Sequence, residues 1–284
     1  MREPLQKNDA FIAEVRSALA SKGRHLWWLG QSGFFIVQNG RALLLDPYLS
    51  DSLTRKYTNT DKPHVRITER VVEPAALGAL GIIDLITSSH NHTDHFDPET
   101  LLPLLALNPQ PRLVVPAASR GDALRRLGAS AANRFVEVDD GKSVRVADFE
   151  IHGVAAAHQN VERDESGRCR FLGYVIQWGD LTVYHSGDTL WHDGLVHSLQ
   201  PFRIDLAFLP INGDRPERRV AGNLDGKQAA QLARTIGARC VVPCHFDLFE
   251  FNTATPDEFL AECRRLNQRC RVLRNGEGWD LSLE

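Results

Sequence analysis

The chain has no excess of positive charge. Its 33 Lys and Arg are outnumbered by 36 Asp and Glu, for a formal net charge of −3, which argues against a nucleic-acid partner. It has no apolar run approaching the length of a membrane span. Residues 1–23 alternate charges with short apolar groups and lack the hydrophobic stretch of a signal peptide. Cysteine is sparse and odd in number, five in all, at 169, 240, 244, 263 and 270. No second Cys pair stands at zinc-like spacing, and the count suits a reducing compartment, so the expectation is a cytoplasmic protein with no membrane association. Cys244, just before His245, reads as a small buried hydrophobe rather than a ligand. Neither an internal repeat nor a low-complexity linker interrupts the chain. What is present is 284 residues of ordinary globular composition, 43% hydrophobic and 24% charged. That is enough for one large core, read as a single domain over 1–284 with an N-terminal helical extension at 1–23.

Periodicity divides the chain into alternating elements. Phe11, Ile12, Val15 and Leu19 share a face and predict a helix over 8–22, stopped by Gly23. Three strands follow at 25–29, 34–37 and 42–45. Gln31-Ser32-Gly33 and Asn39-Gly40 are the turns between them. Residues 49–81 carry much charge and little pattern, and read as a long loop with some helix. A strand at 82–87 precedes a helix whose start is marked by Asp97 as N-cap and Pro98 at its first position. Further strands are expected at 113–115, 134–138, 142–147, 149–155, 170–178, 181–185, 204–209, 239–243, 270–273 and 279–283. Helices are expected at 117–127, 191–199, 225–236 and 256–267. Mixed strand and helix throughout implies an α/β class of layered sheets with helices outside.

Against this regular background one stretch stands apart. His90-Asn91-His92-Thr93-Asp94-His95 places three imidazoles and a carboxylate within six residues, directly after an apolar strand. Core packing asks for no such group, whereas imidazole and carboxylate are the usual ligands of a catalytic divalent ion. The motif lies in a strand-to-helix loop, a common position for catalytic residues. Three further candidates also stand at strand ends. His158 follows the run ending at Ala157, Asp188 follows the strand ending at His185, and His245 follows Val241-Val242-Pro243-Cys244. Strand-end placement lets all four segments converge on one cleft.

This ordered pattern, Asp46, then H-x-H-x-D-H, His158, Asp188 and His245, resembles the metallo-β-lactamase superfamily of two-metal hydrolases over nearly the whole chain from residue 25. The resemblance implies an αββα sandwich. It also implies that His90, His92 and His158 hold one metal, that Asp94, His95 and His245 hold the other, and that Asp188 bridges them. Asp46 would orient a ligand, as metal-bound imidazoles usually require, and His185 would support the site in the same way. Two cations about 3.5–4 Å apart can share one hydroxide near neutral pH and polarise the substrate oxygen. Asp94 is the candidate catalytic group, shuttling a proton to the leaving group. A set of His and Asp without thiolate suits two divalent ions per chain, zinc or manganese first and iron next.

Trp27-Trp28-Leu29-Gly30, Tyr184-His185-Ser186-Gly187-Asp188, Pro210-Ile211-Asn212-Gly213 and Val241–Asp247 are similar to the subgroup containing L-ascorbate-6-phosphate lactonase. That likeness implies a small-molecule substrate, a lactone or related ester, phosphorylated ones included. The alternatives are a phosphodiesterase of the same fold and a metal-binding or sensing module without turnover. The 49–70 and 159–170 segments are expected to frame the pocket. His192 and the arginines Arg215 and Arg218, in the polar loop 212–223, are the candidate substrate contacts, because guanidinium binds phosphate bidentately. Tyr48, Arg55, Lys56 and Tyr57 are placed to face the same mouth. His25, His64 and His152 read as structural.

Overall fold

The computed structural model describes residues 1–21, 23–108 and 111–281. Two sheets carry the chain. The first takes β1 (Arg24–Gly30), β2 (Gly33–Gln38), β3 (Arg41–Leu45), β4 (Ile83–Thr87), β5 (Arg112–Pro116) and β6 (Phe135–Val138) in chain order. The second takes β7 (Ser143–Val146), β8 (Phe149–Ala155), β9 (Leu172–Trp178), β10 (Leu181–His185), β11 (Leu206–Pro210) and β12 (Cys240–Cys244), again in order. β13 (Gly278–Asp280) returns to the first sheet and pairs antiparallel with β1. Each sheet is mixed. Hairpins join β1 to β3 and β7 to β10, while β3 to β6 and β10 to β12 run parallel.

The sequence explains the layering. β2 reads Gly-Phe-Phe-Ile-Val, a continuous apolar run, because both of its faces are covered. Phe34 and Ile36 join the core between the sheets, with Tyr174, Ile176 and Phe208 opposite. Phe35 and Val37 point the other way, into a second core. That second core is roofed by α1 (Asn8–Ser21), which contributes Phe11 and Val15. α2 (Ser52–Tyr57) lies apart, its Leu53 packed with Tyr48, Leu248 and Phe249. α3 (Pro74–Gly78), α4 (Pro98–Leu107) and α5 (Arg120–Leu127) complete the roof. On the far side of the second sheet lie α6 (Leu195–Leu199), α7 (Gly226–Thr235) and α8 (Asp257–Leu266). The order helix, sheet, sheet, helix is the αββα sandwich expected. Because α1 buries its apolar face in the roof, it belongs to the packed layer and is no loose extension.

Local signals fall where the sequence places them. Asn39 and Gly40 have φ of 52° and 76°, the left-handed pair of a hairpin turn whose twist matches its strands. The Asp97 carboxylate accepts the Glu99 and Thr100 N–H groups and caps α4, with Pro98 at its first position. Asp225 and Gln228 cap α7 reciprocally.

Most boundaries shift by one or two residues, and three expectations differ by more. α6 begins at Leu195, not 191, because Gly194 has φ 91° and turns the chain there. The strand expected at 270–273 is reduced to a single bridge between Cys270 and Val241. The stretch from 117 opens as a 3₁₀ turn, Ala117–Ser119, before α5. The last residues of the strand expected at 279–283, and residue 22 of the first helix, lie outside the described residues. No helix among the described residues is long and apolar enough to cross a membrane.

Candidate metal centre

Every candidate ligand leaves a strand end. His90 follows β4, His158 follows β8, Asp188 follows β10 and His245 follows β12. At one edge of the sandwich they meet. Nitrogen and oxygen atoms of His90, His92 and His158 lie within 4.8 Å of one another, as do those of His90, His95 and Asp188, and those of Asp94, His95 and His245. Asp188 sits between the first set and the last. Its Oδ2 is 3.7 Å from His158 Nε2 and 3.3 Å from His245 Nε2, and its Oδ1 is 3.2 Å from His95 Nε2. Asp94 Oδ2 is 3.7 Å from His95 Nε2 and 3.6 Å from His245 Nε2.

The imidazoles are held from behind. Asp46 ends β3 with φ 37° and is fully buried. Its Oδ2 accepts His95 Nδ1–H at 2.8 Å. The Ser89 hydroxyl also donates to Asp46, so its lone pair is free to accept His90 Nδ1–H at 2.9 Å. The Gly222 carbonyl, which only accepts, takes His158 Nδ1–H at 3.2 Å. Each of these contacts puts the proton on Nδ1 and leaves Nε2 a lone pair aimed into the centre. His90 Nε2, His95 Nε2 and Asp188 Oδ1 are buried and have no hydrogen-bond partner. Buried polar atoms are nearly always paired, and three orphans facing one point are what a cation would satisfy. The donor set therefore fits a divalent metal.

Charge within the protein alone tells the same story. Burial would raise the Asp94 and Asp188 carboxyls, but His95 and His245 beside them hold both well below the ordinary range. Burial would lower His95 and His245, but Asp188 and Asp94 draw His95 well up and His245 to about 9. Burial, with neighbouring imidazoles, pushes His90 well down and His92 to about 4. Without a cation, protons on these two imidazoles would balance the carboxylates, and a bound metal would displace them and take the Nε2 lone pairs.

The centre forms the floor of a cleft of about 460 Å³. One wall comes from the 53–64 segment, with Lys56, Tyr57, Lys62 and His64, and another from Gln159, Glu162 and Phe171. These are the two segments expected to frame the pocket. Arg66 braces the first wall. Its guanidinium donates to Asp51 at 2.7 Å and to the Ser50 carbonyl and lies over the Tyr48 and Phe249 rings.

The substrate contacts named from sequence are corrected here. Among the described residues lining the cleft, none is His192, Arg215 or Arg218. Arg218 turns inward and donates to the Asn212 and Thr253 carbonyls and Asn252 Oδ1, which engages both terminal nitrogens of its fork with the protein. Arg215 is exposed on the same loop. The His192 ring contacts the Ala155 and Asp193 carbonyls. Their neighbour Arg219 lines the cleft instead. Of the residues after Asp46, Lys56 and Tyr57 line it, Arg55 pairs with Glu99, and Tyr48 is buried behind the wall. His185 is buried, donates Nε2–H to the Ser32 carbonyl at 2.8 Å and accepts the Gly187 N–H, fixing the turn that carries Asp188. Cys244 is buried in β12 and belongs to none of the ligand groups.

Two residues at the site escaped sequence reasoning. Gln31, in the β1–β2 turn with φ 50°, donates Nε2–H to Asp94 Oδ2 at 2.9 Å, and its carbonyl accepts the His245 backbone N–H. His64 lines the cleft beside the ligands. Neither residue lies near the ligands in sequence, and no local signal marks them.

Comparison with known proteins agrees with this geometry. The family model of the beta-lactamase superfamily domain matches residues 25–245. A UPF0173 metal-dependent hydrolase of Rubrobacter xylanophilus is 26% identical, covering 90% of this chain and 96% of its own. One of Sulfolobus acidocaldarius is 24% identical, covering 90% and 99%. Among solved structures, a metallo hydrolase from the archaeon Ignicoccus hospitalis superposes with a TM-score of 0.64 at 20% identity, covering 90% of this chain and 97% of that one. The isothiocyanate hydrolase from Delia radicum gut bacteria superposes with a TM-score of 0.67 at 17% identity, covering 91% and 99%. At such identities the structures speak for the fold, and the family match carries the assignment. The chain belongs to the beta-lactamase superfamily and is a metal-dependent hydrolase.

Proposed function

We propose that the protein holds two divalent ions and opens a lactone or related ester of a small anionic molecule. The observation that carries this reading is the set of orphaned atoms, His90 Nε2, His95 Nε2 and Asp188 Oδ1, converging beneath an open cleft. His90, His92 and His158 would hold one ion, Asp94, His95 and His245 the other, and Asp188 would reach both. Zinc and manganese suit this thiolate-free set, and iron is compatible with it. Bound there, such ions supply an activated water nucleophile at neutral pH and polarise the substrate oxygen.

The protein's own groups do the rest. Asp46 and Ser89 keep the ligand imidazoles in one tautomer. Asp94 lines the cleft with one oxygen tied to Gln31 and its carboxyl held ionised, so it can accept a proton from the nucleophile and return it to the leaving group. The cleft suits a small molecule rather than a polymer. Lys56, Lys62 and Arg219 on its walls outnumber Glu162, which favours a carboxylate or phosphate on the substrate. Arg219 is paired with Asp61 and Lys62 donates to the Arg219 carbonyl, while Lys56 has a long contact to Thr93, lies over the Tyr57 ring and pairs with no carboxylate among the described residues. Lys56 is therefore the cation most available to substrate. Five unpaired cysteines support the reading of a protein from a reducing compartment, the cytoplasm.

The test is turnover by protein reconstituted with zinc, manganese or iron, over a panel of lactones with and without phosphate, aryl esters and a bis-aryl phosphodiester. Lactone opening that weakens in Lys56→Met for the charged substrate alone supports the reading. Turnover of the phosphodiester only makes the enzyme a phosphodiesterase. Two bound metals with no turnover of any substrate make it a binding module.

A further inference from the structure

Five of the eleven histidines stand in the ligand groups. His64 stands in none of them, yet it lines the cleft they floor. Its ring is fixed by three others. Tyr57 packs on it at a tilt of 37° with 4.6 Å between centroids, and Phe249 and Phe251 meet it edge-on at 5.6 and 5.1 Å. Nδ1 lies 2.8 Å from the Lys62 carbonyl. A carbonyl can only accept, so the hydrogen of a neutral ring resides on Nδ1. Half-buried as it is, the ring is pushed by burial to lose its charge more readily than a free imidazole, although Asp94 opposes that. Neutral and protonated on Nδ1, the ring keeps a lone pair on Nε2. Among the described residues no donor reaches that nitrogen.

We infer that His64 is a substrate-contacting residue whose Nε2 accepts a hydrogen bond from a hydroxyl of the substrate. The substrate class follows from the tautomer. A group facing His64 must be a donor, so the ester or lactone carries a free hydroxyl that meets the His64 wall of the cleft. An oxygen with no hydrogen at that position would meet a lone pair and be rejected. The aromatic cage makes this a specificity device rather than a mobile surface contact, because turning the ring to offer its other nitrogen would break the Nδ1–H bond to the Lys62 carbonyl.

The substrate part of this inference rests on the hydrolytic reading; the tautomer does not. The first measurement is therefore nitrogen NMR of the metal-loaded protein at neutral pH, with the His64 signals assigned by their loss in His64→Phe. A neutral ring protonated on Nδ1 is expected. A proton resident on Nε2 overturns the inference whatever the substrates do. The second measurement compares two lactones differing by one hydroxyl. His64→Phe keeps the ring in its cage and removes the acceptor. It should raise KM for the hydroxylated lactone about tenfold, the usual worth of one hydrogen bond, and leave its deoxy partner near the wild-type value. His64→Gln, whose amide oxygen can reach the Nε2 position, should recover most of the loss. Equal effects on both lactones, or none on either, refute the contact. If no lactone turns over, the lactone reading fails, and the same pair is titrated as ligands. Preference for the hydroxylated one should then collapse in His64→Phe, and its persistence refutes the contact.

Discussion

Replacing Asp46 with Asn separates charge from shape at the most buried polar residue of the centre. Backbone strain is not altered, since Asn tolerates the left-handed φ of 37° at least as well as Asp. The side chain is a different matter. Asp46 accepts from His95 Nδ1, the Thr87 hydroxyl, and both the hydroxyl and the backbone N–H of Ser89. The Asn oxygen can keep the Thr87 and Ser89 N–H contacts. Its NH₂ then faces the Ser89 hydroxyl, which can rotate to accept, and the His95 Nδ1–H, which cannot. Losing one buried hydrogen bond to a charged acceptor costs about 1.5–3 kcal/mol. For a domain of this size that lowers Tm by on the order of 3–5 °C. Alternatively His95 moves its proton to Nε2, which relieves the clash but points an N–H at Asp188 Oδ1 and removes a ligand. Either way metal affinity should fall about 10–100-fold, the usual consequence of losing such a support. The carboxyl is held below its ordinary value because His185 and His95 outweigh its burial. Its stabilisation is therefore complete above about pH 4 and is lost as the pH falls further, so the difference from wild type should be largest at neutral pH. Thermal melts with and without added metal, and elemental analysis after dialysis, measure both effects. An Asn variant with unchanged Tm and unchanged metal content refutes the role given to Asp46.

Metal binding should release protons. His245 is drawn to about 9 and His95 well above its usual value, so at pH 7 about two protons must leave, and affinity should climb until the pH passes about 9. Calorimetry in two buffers of different ionisation enthalpy reads that number, and equal heats in both refute it. Asp94→Asn should lower turnover by about a hundredfold or more in protein that retains metal; near-normal turnover of a metal-replete variant excludes Asp94 as the proton carrier. Gly187→Ala should unfold the turn before Asp188, since Gly187 has φ 59° and an added Cβ would lie 2.6 Å from Ser89 Cβ and 2.9 Å from the Leu172 carbonyl. A cost of about 3 kcal/mol or more is expected in denaturant melts, and a wild-type midpoint would show that the loop can yield there.

The parts of this protein legible in its sequence are those with local causes. The Asn39-Gly40 turn and the Asp97-Pro98 helix start rest on contacts within a few residues, the H-x-H-x-D-H loop is marked by its own residue types and spacing, and each lies where the pattern puts it. The continuous apolar run of β2 follows from burial on two faces. What was not legible depends on partners far along the chain. Gln31 reaches Asp94 and His245 across 63 and 214 positions. His64 is defined by Tyr57 nearby but also by Phe249 and Phe251 from the other end of the chain. The arginine cluster shows the converse error. Its composition pointed to Arg218 as an anion anchor, yet acceptors brought in by Asn252 and Thr253 claim that guanidinium, and Arg219 is left beside the cleft. A charged side chain in a loop is assigned by its competition for acceptors, and the acceptors are not in the loop.

That division bears on how the substrate is chosen. The floor of the cleft is built from strand ends, and its residue types are dictated by what a metal will accept, so any member of the family with this chemistry needs much the same floor. The walls are built from 53–64, 159–171 and 219–221, where no ligand chemistry dictates the residues. They need only be held in place, as Arg66 holds the first wall through Asp51 and Ser50. Wall residues can therefore change while the floor is kept, and relatives about 25% identical can share the reaction class without sharing a substrate. It follows that exchanging Lys56 and His64 should move KM ratios between substrates while leaving the metal content alone. Exchanging floor residues should move metal content first. A wall variant that sheds metal as readily as His245→Ala would show that the two layers are not separable, and the substrate could then not be read from the walls.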